Sequence, residues 1–490
     1  MSTTTPRKRS SSKTRAAENT APQASGEAKS SSGEKITSYA SGLRWLYDHA
    51  DYERMRTVPY NARTFNLDRM RRLLEAMDNP HEQLKFVHIA GTKGKGSTCA
   101  MVSSMLEACG YAVGLFTSPH LIDVRERISI NSQWIGQSDL TELLKQVQKH
   151  YAKIEEQPSF FEIMTAAALR YFADQAVDIV VLETGLGGRL DCTNVVRPLV
   201  CGLTRISEDH THILGKELRS IAKEKAGIMK SGVPVISIEQ EASVAAVFHE
   251  EAQRLGAKLE FTGQQIDFSY RFEANRELGP HTRVSVTTPT SRFEHLPVPL
   301  KGEHQALNCG LALAILDKLK ADGFQLPEDK VIAGLAATRI AGRMELAWNK
   351  PRVMLDGAHN AASIQALIRA LGAHVTYDSL VVVFGCAQDK DVAGMLKQLA
   401  LGADKIIFTK AKNNPRACEP EDLLTRFAEV SGKMAQVAPT FPEALKLAGR
   451  AVSREDLIVV TGSFYLVGEA KKHLAEAAKE AQAPAHPKHR

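Results

Sequence analysis

His88-Ile-Ala-Gly91-Thr-Lys-Gly94-Lys95-Gly96-Ser97-Thr98 sets three glycines, two lysines and three hydroxyl residues at the end of an apolar run. With Phe86 and Val87 before it, an apolar β-branched run at Phe86–Ala90 ends in a glycine-rich turn. A helix follows, carrying Met101, Val102, Met105, Leu106 and Cys109 on its apolar face and Gly110 as its stop. Glycines let backbone N–H groups curl around a phosphate, and the helix N-terminus adds partial positive charge. Lys95 can reach the β- and γ-phosphates of a nucleotide. The match to G-x-x-x-x-G-K-[ST] is imperfect, because residue 89 is Ile and Gly96 displaces the hydroxyl residue by one. A tight strand-to-helix turn without a ligand is the bland alternative.

Outward from this turn, apolar β-branched runs alternate with helical patterns, which predicts layered α/β structure. Strands are expected at Phe86–Ala90, Ile179–Leu182, Val233–Ile238, Val353–Leu355, Leu380–Phe384, Lys405–Phe408 and Leu457–Val460. Ile364, Leu367, Ile368 and Leu371 have the spacing of one buried helix face. Residues 260–300 alternate with period two and predict an antiparallel excursion. Ala341-Gly342-Arg343 and Trp348-Asn349-Lys350-Pro351 are read as a linker between a larger N-terminal and a smaller C-terminal domain. The expected division is a tail at 1–36, an ATP-binding domain at 37–343, a second domain at 350–475 and a flexible end at 476–490.

The chain has 490 residues, 43% hydrophobic and 24% charged. Such fractions exclude a collagenous, coiled-coil or wholly disordered protein. No run approaches the roughly 20 apolar residues that span a bilayer, so no membrane helix is expected. The net charge of +6 resides in the ends: residues 1–36 hold seven Lys/Arg against three Glu, and 470–490 hold five against two. The body is therefore near neutral, and no nucleic-acid face is indicated. Seven cysteines, without a CxxC pair, argue against a disulfide framework or zinc site and for a reducing compartment. A cytoplasmic protein is expected, with organelle targeting by the basic Ser-rich tail as the lesser alternative.

Further polar groups sit where expected strands end. Asp178-Ile-Val-Val-Leu-Glu183-Thr-Gly185-Leu-Gly187-Gly188-Arg189-Leu-Asp191 delivers an acid to the end of a strand, where ligands bind in open α/β sheets. A carboxylate there suits Mg²⁺, a hard cation that favours oxygen. Asp356-Gly-Ala-His359-Asn360 repeats the placement, with Asn360 a candidate helix cap. Gly385-Cys-Ala-Gln-Asp389-Lys390 and Thr461-Gly-Ser463 do so again. Ser118-Pro119 reads by default as loop chemistry, and from residue chemistry alone His210 and Lys225 stay open between structural and functional roles.

Taken together these segments resemble folylpolyglutamate synthase and its bacterial relative with dihydrofolate synthase activity, within the Mur-type ATP-dependent ligases. The resemblance runs from about Thr37 to Gly468. It rests on Gly91–Thr98, Ser118-Pro-His-Leu121 with Glu126-Arg-Ile128, Leu182–Arg189, Asp209-His-Thr211, Glu224-Lys-Ala-Gly-Ile228, His304-Gln305 with Asn308, Gly342-Arg343, Asp356–Asn360 and Thr461-Gly-Ser463. It implies a P-loop ATPase-type central domain joined to a smaller Rossmann-like α/β domain. It also implies ATP on Gly94, Lys95, Gly96 and Ser97, completed by Asn308, Arg343, Asp356 and His359. Mg²⁺ would be held by Ser118, Glu183 and His210, and Lys225 resembles the family lysine that is carbamylated. Ser159-Phe160-Phe161-Glu162, with Arg189 and Leu190, resembles the pterin-side segment.

The implied reaction activates a carboxylate of folate or dihydropteroate with ATP and joins it to the amino group of L-glutamate. A monomer that binds neither nucleic acid nor membrane is expected. The sequence departs from the family pattern at Lys93, Glu208 and Ala361, none of them an implied ligand. Two rivals stand beside this reading: a Mur-type ligase acting on a cell-wall precursor, and an ATP-driven switch protein. The first is disfavoured because about 50 residues precede the phosphate loop once the tail is set aside, at the bottom of the domain size range.

Overall fold

The computed structural model describes residues 35–51, 64–151, 154, 156–208, 217–412, 414 and 416–482. Three sheets organise them. The first comprises β1 (Phe86–Ala90), β2 (Val113–Phe116), β3 (Ile128–Ile130), β4 (Gln133–Trp134), β5 (Ile179–Glu183), β6 (Val200–Leu203), β7 (Val235–Ser237) and β8 (Leu259–Phe261). Their order is β4-β3-β2-β5-β1-β6-β7-β8, with β2, β5, β1, β6, β7 and β8 mutually parallel and β3 and β4 as an antiparallel edge. Every residue of β1 and β5 is buried, as expected for strands covered on both faces.

The antiparallel excursion follows as β9 (Asp267–Asn275), β10 (Gly279–Thr287) and β11 (Arg292–Pro297), in the order β11-β10-β9. The second domain holds β12 (Glu345–Asn349), β13 (Arg352–Leu355), β14 (Leu380–Phe384), β15 (Lys405–Phe408), β16 (Met434–Val437) and β17 (Leu457–Thr461). Their order is β12-β13-β17-β14-β15-β16, parallel except for β12. This is the expected two-domain α/β architecture.

The helix after β1 spans Lys95–Ala108 and buries Cys99, Met101, Val102, Met105 and Leu106 completely. Burial of each large apolar side chain contributes about 1.5–3 kcal/mol. The second domain's helix Ala361–His374 buries Ile364, Leu367 and Leu371, as their spacing predicts. Asn360 caps it, accepting from Ser363 N–H at 2.9 Å.

Several boundaries move. Trp348-Asn349 is not linker: it belongs to β12, which pairs antiparallel with β13 across the turn at Lys350-Pro351. The second domain's sheet thus begins at Glu345 rather than after 350, and the connection shortens to the residues between the helix Glu328–Ala337 and β12. The last helix, Phe464–Gln482, runs beyond the expected end at 475. At the other end, Ile36 is 2% exposed and packs with Trp45 and Leu144, so the folded body starts before residue 37. The strand expected over Val233–Ile238 is confined to Val235–Ser237.

Candidate active site

Parallel strands in both sheets send their C-terminal ends toward a cleft of about 1090 Å³ that both domains line. On the first domain's side, Gly91–Gly94 connects β1 to the helix Lys95–Ala108. Gly91 has φ +153°, and a Cβ there would fall 1.7 Å from Thr204 Oγ1. Gly94 has φ +94°, and its Cβ would fall 2.2 Å from Asn308 Oδ1. Both positions therefore require glycine. No side chain of the described residues caps the helix, so its first-turn N–H groups stay available to an anion. Gly94, Lys95 and Gly96 line the cleft.

Glu183, the last residue of β5, is 3% exposed and also faces the cleft. Its Oε1 lies 3.9 Å from Lys95 Nζ, and its Oε2 accepts the backbone N–H of Ser118 at 3.1 Å. A Cβ on Gly96 would sit 3.4 Å from Oε2, so the carboxylate rests against the first turn of the phosphate-loop helix. Mg²⁺ takes one or two carboxylates and completes its shell with water and substrate phosphate. A single buried carboxylate beside a hydroxyl residue and a phosphate loop fits that preference. Among the described residues no three His, Cys, Asp or Glu side chains gather as a denser metal cage. His210, the third expected ligand, lies outside the described residues.

Lys225 is not the surface charge its helical pattern suggests. It sits near the end of the helix Leu218–Ala226, is 5% exposed, and donates from Nζ to the carbonyl of Gly91 at 2.8 Å. Gly188 makes this approach feasible, since a Cβ there would meet Glu224 O at 2.6 Å. Lys225 thereby grips the phosphate loop from behind.

The expected pterin-side residues divide into wall and support. Phe161 and Leu190 line the cleft, and Gly185 leaves room for the Phe161 ring, which a Cβ would approach to 2.5 Å. Ser159 and Glu162 also line it but bond one another: Ser159 Oγ–H and N–H each donate to Glu162 Oε2 at 2.7 Å. Glu162 further pairs with Arg69 Nε at 2.9 Å. Phe160 lies behind the wall, fully buried, stacked on Tyr47 and under the Arg127 guanidinium. Arg189 is turned away as well, bonding Glu224 at 2.8 Å with its side chain half-exposed. Phe160 and Arg189 thus do not line the cleft, whereas Ser159, Phe161, Glu162 and Leu190 do.

On the second domain's side, Arg343 and His359 line the cleft and share one platform. The Arg343 guanidinium lies 5.0 Å from the Phe464 ring centre, and the His359 ring lies 5.4 Å from it. His359 Nδ1–H donates to the Gly357 carbonyl at 2.9 Å, which fixes its tautomer. Asp356 is 8% exposed, and its carboxylate accepts from Met344 N–H at 3.0 Å and Ala358 N–H at 2.9 Å. Burial pushes its pKa up, while Arg343 draws it back. Asp356, Asn308 and Ser97 lie behind the cleft surface, Asn308 against Gly94 and Asp356 tying down the residues next to Arg343 and His359.

Sequence reasoning missed Phe464, Tyr47, Arg69, Lys390 and Arg416, all of which line the cleft. Phe464 directly follows Thr461-Gly-Ser463, so extending that motif by one residue would have found it. Lys390 stood within a quoted segment without a role. Tyr47, Arg69 and Arg416 carry no local signal.

A model of the Mur ligase middle domain matches residues 89–316, and one of the Mur ligase glutamate ligase domain matches 342–464. The dihydrofolate synthase/folylpolyglutamate synthase of Bacillus subtilis is 34% identical over 414 residues, 83% of this chain and 94% of the relative. The folylpolyglutamate synthase of Mycobacterium tuberculosis, solved with ADP and AMPPCP, superposes with TM-score 0.77 at 32% identity, covering 83% of this chain and 95% of that one. The Escherichia coli FolC structure with DHPP and ADP gives 0.78 at 29% identity, covering 92% and 100%. The resemblance carried by the motifs is borne out across the whole folded body, and the chain belongs to the folylpolyglutamate synthase/dihydrofolate synthase family of Mur-type, ATP-dependent ligases.

Proposed function

We propose that this ligase joins L-glutamate to a carboxylate of folate, extending it as a folylpolyglutamate synthase, and that dihydropteroate is its second acceptor. The observation that carries the reading is the cleft itself. A phosphate loop with a buried acid lies on one wall, the apolar side chains of Phe161 and Leu190 lie beside it, and a cationic second domain faces both. An ATP-driven switch has no need of the apolar recess.

In this account Gly94–Ser97 and Lys95 hold and orient the phosphates of ATP, and Arg343 and His359 close on the nucleotide from the second domain. Asn308 and Asp356 act through their neighbours, setting the phosphate loop and the Arg343–His359 loop. Ser118, Glu183 and His210 would hold Mg²⁺, which when bound offsets charge on the transferring phosphoryl group. Lys225 carries a carbamate that places an anion behind the same loop. Ser159, Phe160, Phe161, Glu162, Arg189 and Leu190 shape the recess for the acceptor's ring system, four from the surface and two from behind.

The acceptor carboxylate attacks the γ-phosphorus, ADP leaves, and an acyl phosphate forms. The amino nitrogen of glutamate then attacks the acyl carbon, and phosphate departs as the amide forms. Binding both partners between two domains aligns the attack and keeps water from the acyl phosphate. The protein acts as a monomer in the cytoplasm, in keeping with cysteines that lack paired spacing.

Oxygen tracing tests the reading. With the acceptor's reacting carboxylate labelled with heavy oxygen, each amide formed should release one phosphate carrying one labelled oxygen. Unlabelled phosphate, or ATP turnover unaffected by omitting acceptor and glutamate, would overturn it.

A further inference from the structure

Cys386 and Cys418 have no part in the reaction above, yet they lie directly behind second-domain residues, among them Ala387 and Arg416, that line the cleft. Both are buried, at 1% and 4% exposure. Cys386 lies two residues beyond the end of β14, and Cys418 lies two before the helix Pro420–Ala428. Ala387 and Ala417 between them form an antiparallel bridge. Cys418 N–H donates to Cys386 O at 2.9 Å, and Gln388 N–H to Arg416 O at 2.8 Å. This register sets Cys386 directly opposite Cys418.

Facing residues at a hydrogen-bonded antiparallel position have Cα atoms about 5.5 Å apart. A disulfide spans roughly 4.4–6.8 Å between Cα atoms. Cys386 Sγ–H donates to Cys418 Sγ at 3.9 Å, so the sulfurs need to close by only about 2 Å to reach bonding distance. Side-chain rotation can supply that while the backbone pairing is kept. We propose that Cys386 and Cys418 are an oxidation site that forms a reversible disulfide, stapling two segments of the cleft wall together. Ala387 and Lys390 on one segment and Arg416 on the other line the cleft.

The two sulfurs are chemically unequal. The hydrogen bond from Cys386 draws the Cys418 thiol below its ordinary range and pushes Cys386 up. The thiolate is the form that reacts with oxidants, so Cys418 is attacked first. With hydrogen peroxide, the Cys418 sulfur attacks the O–O bond, gains an S–OH group and releases water. The Cys386 sulfur then loses its proton, displaces that hydroxyl as a second water, and forms the S–S bond. Two thiols and one peroxide give one disulfide and two waters, and a thiol reductant reverses the change by exchange. Cys201 and Cys309 are poor competitors, because burial pushes their thiols up to about 12.

The test treats the full-length protein with stoichiometric hydrogen peroxide, alkylates it after unfolding and maps the peptides by mass. The expected result is one linked pair joining Cys386 to Cys418, with the other five of the seven cysteines alkylated. Dithiothreitol should restore all seven, and the oxidised form should melt several degrees higher. Cys418→Ser should abolish the link, whereas Cys309→Ser should keep it. No link, a link to another cysteine, or Cys418 as sulfinic acid beside an alkylated Cys386 would overturn the proposal. Should a serine variant fail to fold, the wild-type peptide map decides alone.

Discussion

Oε1 of Glu183 lies 3.9 Å from Nζ of Lys95, while Oε2 of the same carboxylate accepts the backbone N–H of Ser118 at 3.1 Å. This buried anion shares the helix end that attracts phosphate. Anion beside anion is tolerable only with cationic charge between them, and Lys95 together with a divalent cation can provide it. Glu183→Gln keeps the shape and removes the charge. The variant should lose about a hundredfold in kcat and need more Mg²⁺ for half-maximal rate, with its Tm at or above that of the parent. Mg²⁺ titration of the initial rate checks this, and an unchanged requirement contradicts it.

Gly94→Ala should disable the phosphate loop rather than the fold. The added Cβ meets Asn308 Oδ1 at 2.2 Å in a backbone with φ +94°, a conformation that costs a non-glycine residue roughly 1–2 kcal/mol. Nucleotide affinity, read by calorimetry, should fall at least tenfold. Combining the change with Asn308→Ala relieves the clash but not the backbone, so at most partial recovery is expected.

Lys225 is buried and bonded to Gly91 O at 2.8 Å. A carbamate retains one N–H on that nitrogen, so the bond survives the conversion from cation to anion. Activity should therefore fall in buffer stripped of carbon dioxide and return with bicarbonate. Lys225→Ala should remain inactive under both conditions. A Lys225→Ala enzyme with parental turnover would remove the carbamate from the account.

His88 in β1 is fully buried, with Nε2 2.9 Å from Thr193 Oγ1. Burial, aided by Lys230, lowers its pKa to about 3 from the usual 6.5. Below pH 6.5 the unfolded chain therefore takes up a proton that the folded chain refuses until about pH 3. This residue's contribution to stability is complete above pH 6.5 and is lost as pH falls, by up to about 1.4 kcal/mol per unit. Denaturant unfolding at a series of pH values should show that slope, and His88→Gln should flatten it.

What could be read from sequence follows a physical divide. The phosphate loop, β14 and β15 were legible because strand, glycine turn and helix each leave a local pattern. Asn308 against Gly94 joins residues far apart in the chain, and spacing cannot report a contact of that kind. Lys225 is buried because Gly188 and Gly227 let its helix close on a distant loop, a contact that its helical pattern could not report, so residue chemistry left its role open. Trp348-Asn349 was misread because an edge strand that runs into the Lys350-Pro351 turn has the composition of a linker. Phe160 and Phe161 are equivalent in sequence, and only packing turns one into the core and the other into the cleft.

The most direct measurement is ATP- and Mg²⁺-dependent incorporation of labelled glutamate, run in parallel with tetrahydrofolate and with dihydropteroate, using Lys95→Ala as the control. Incorporation into both acceptors is expected, with at least a hundredfold loss in the Lys95→Ala protein. A protein that binds ATP yet adds glutamate to neither acceptor would contradict the proposed function.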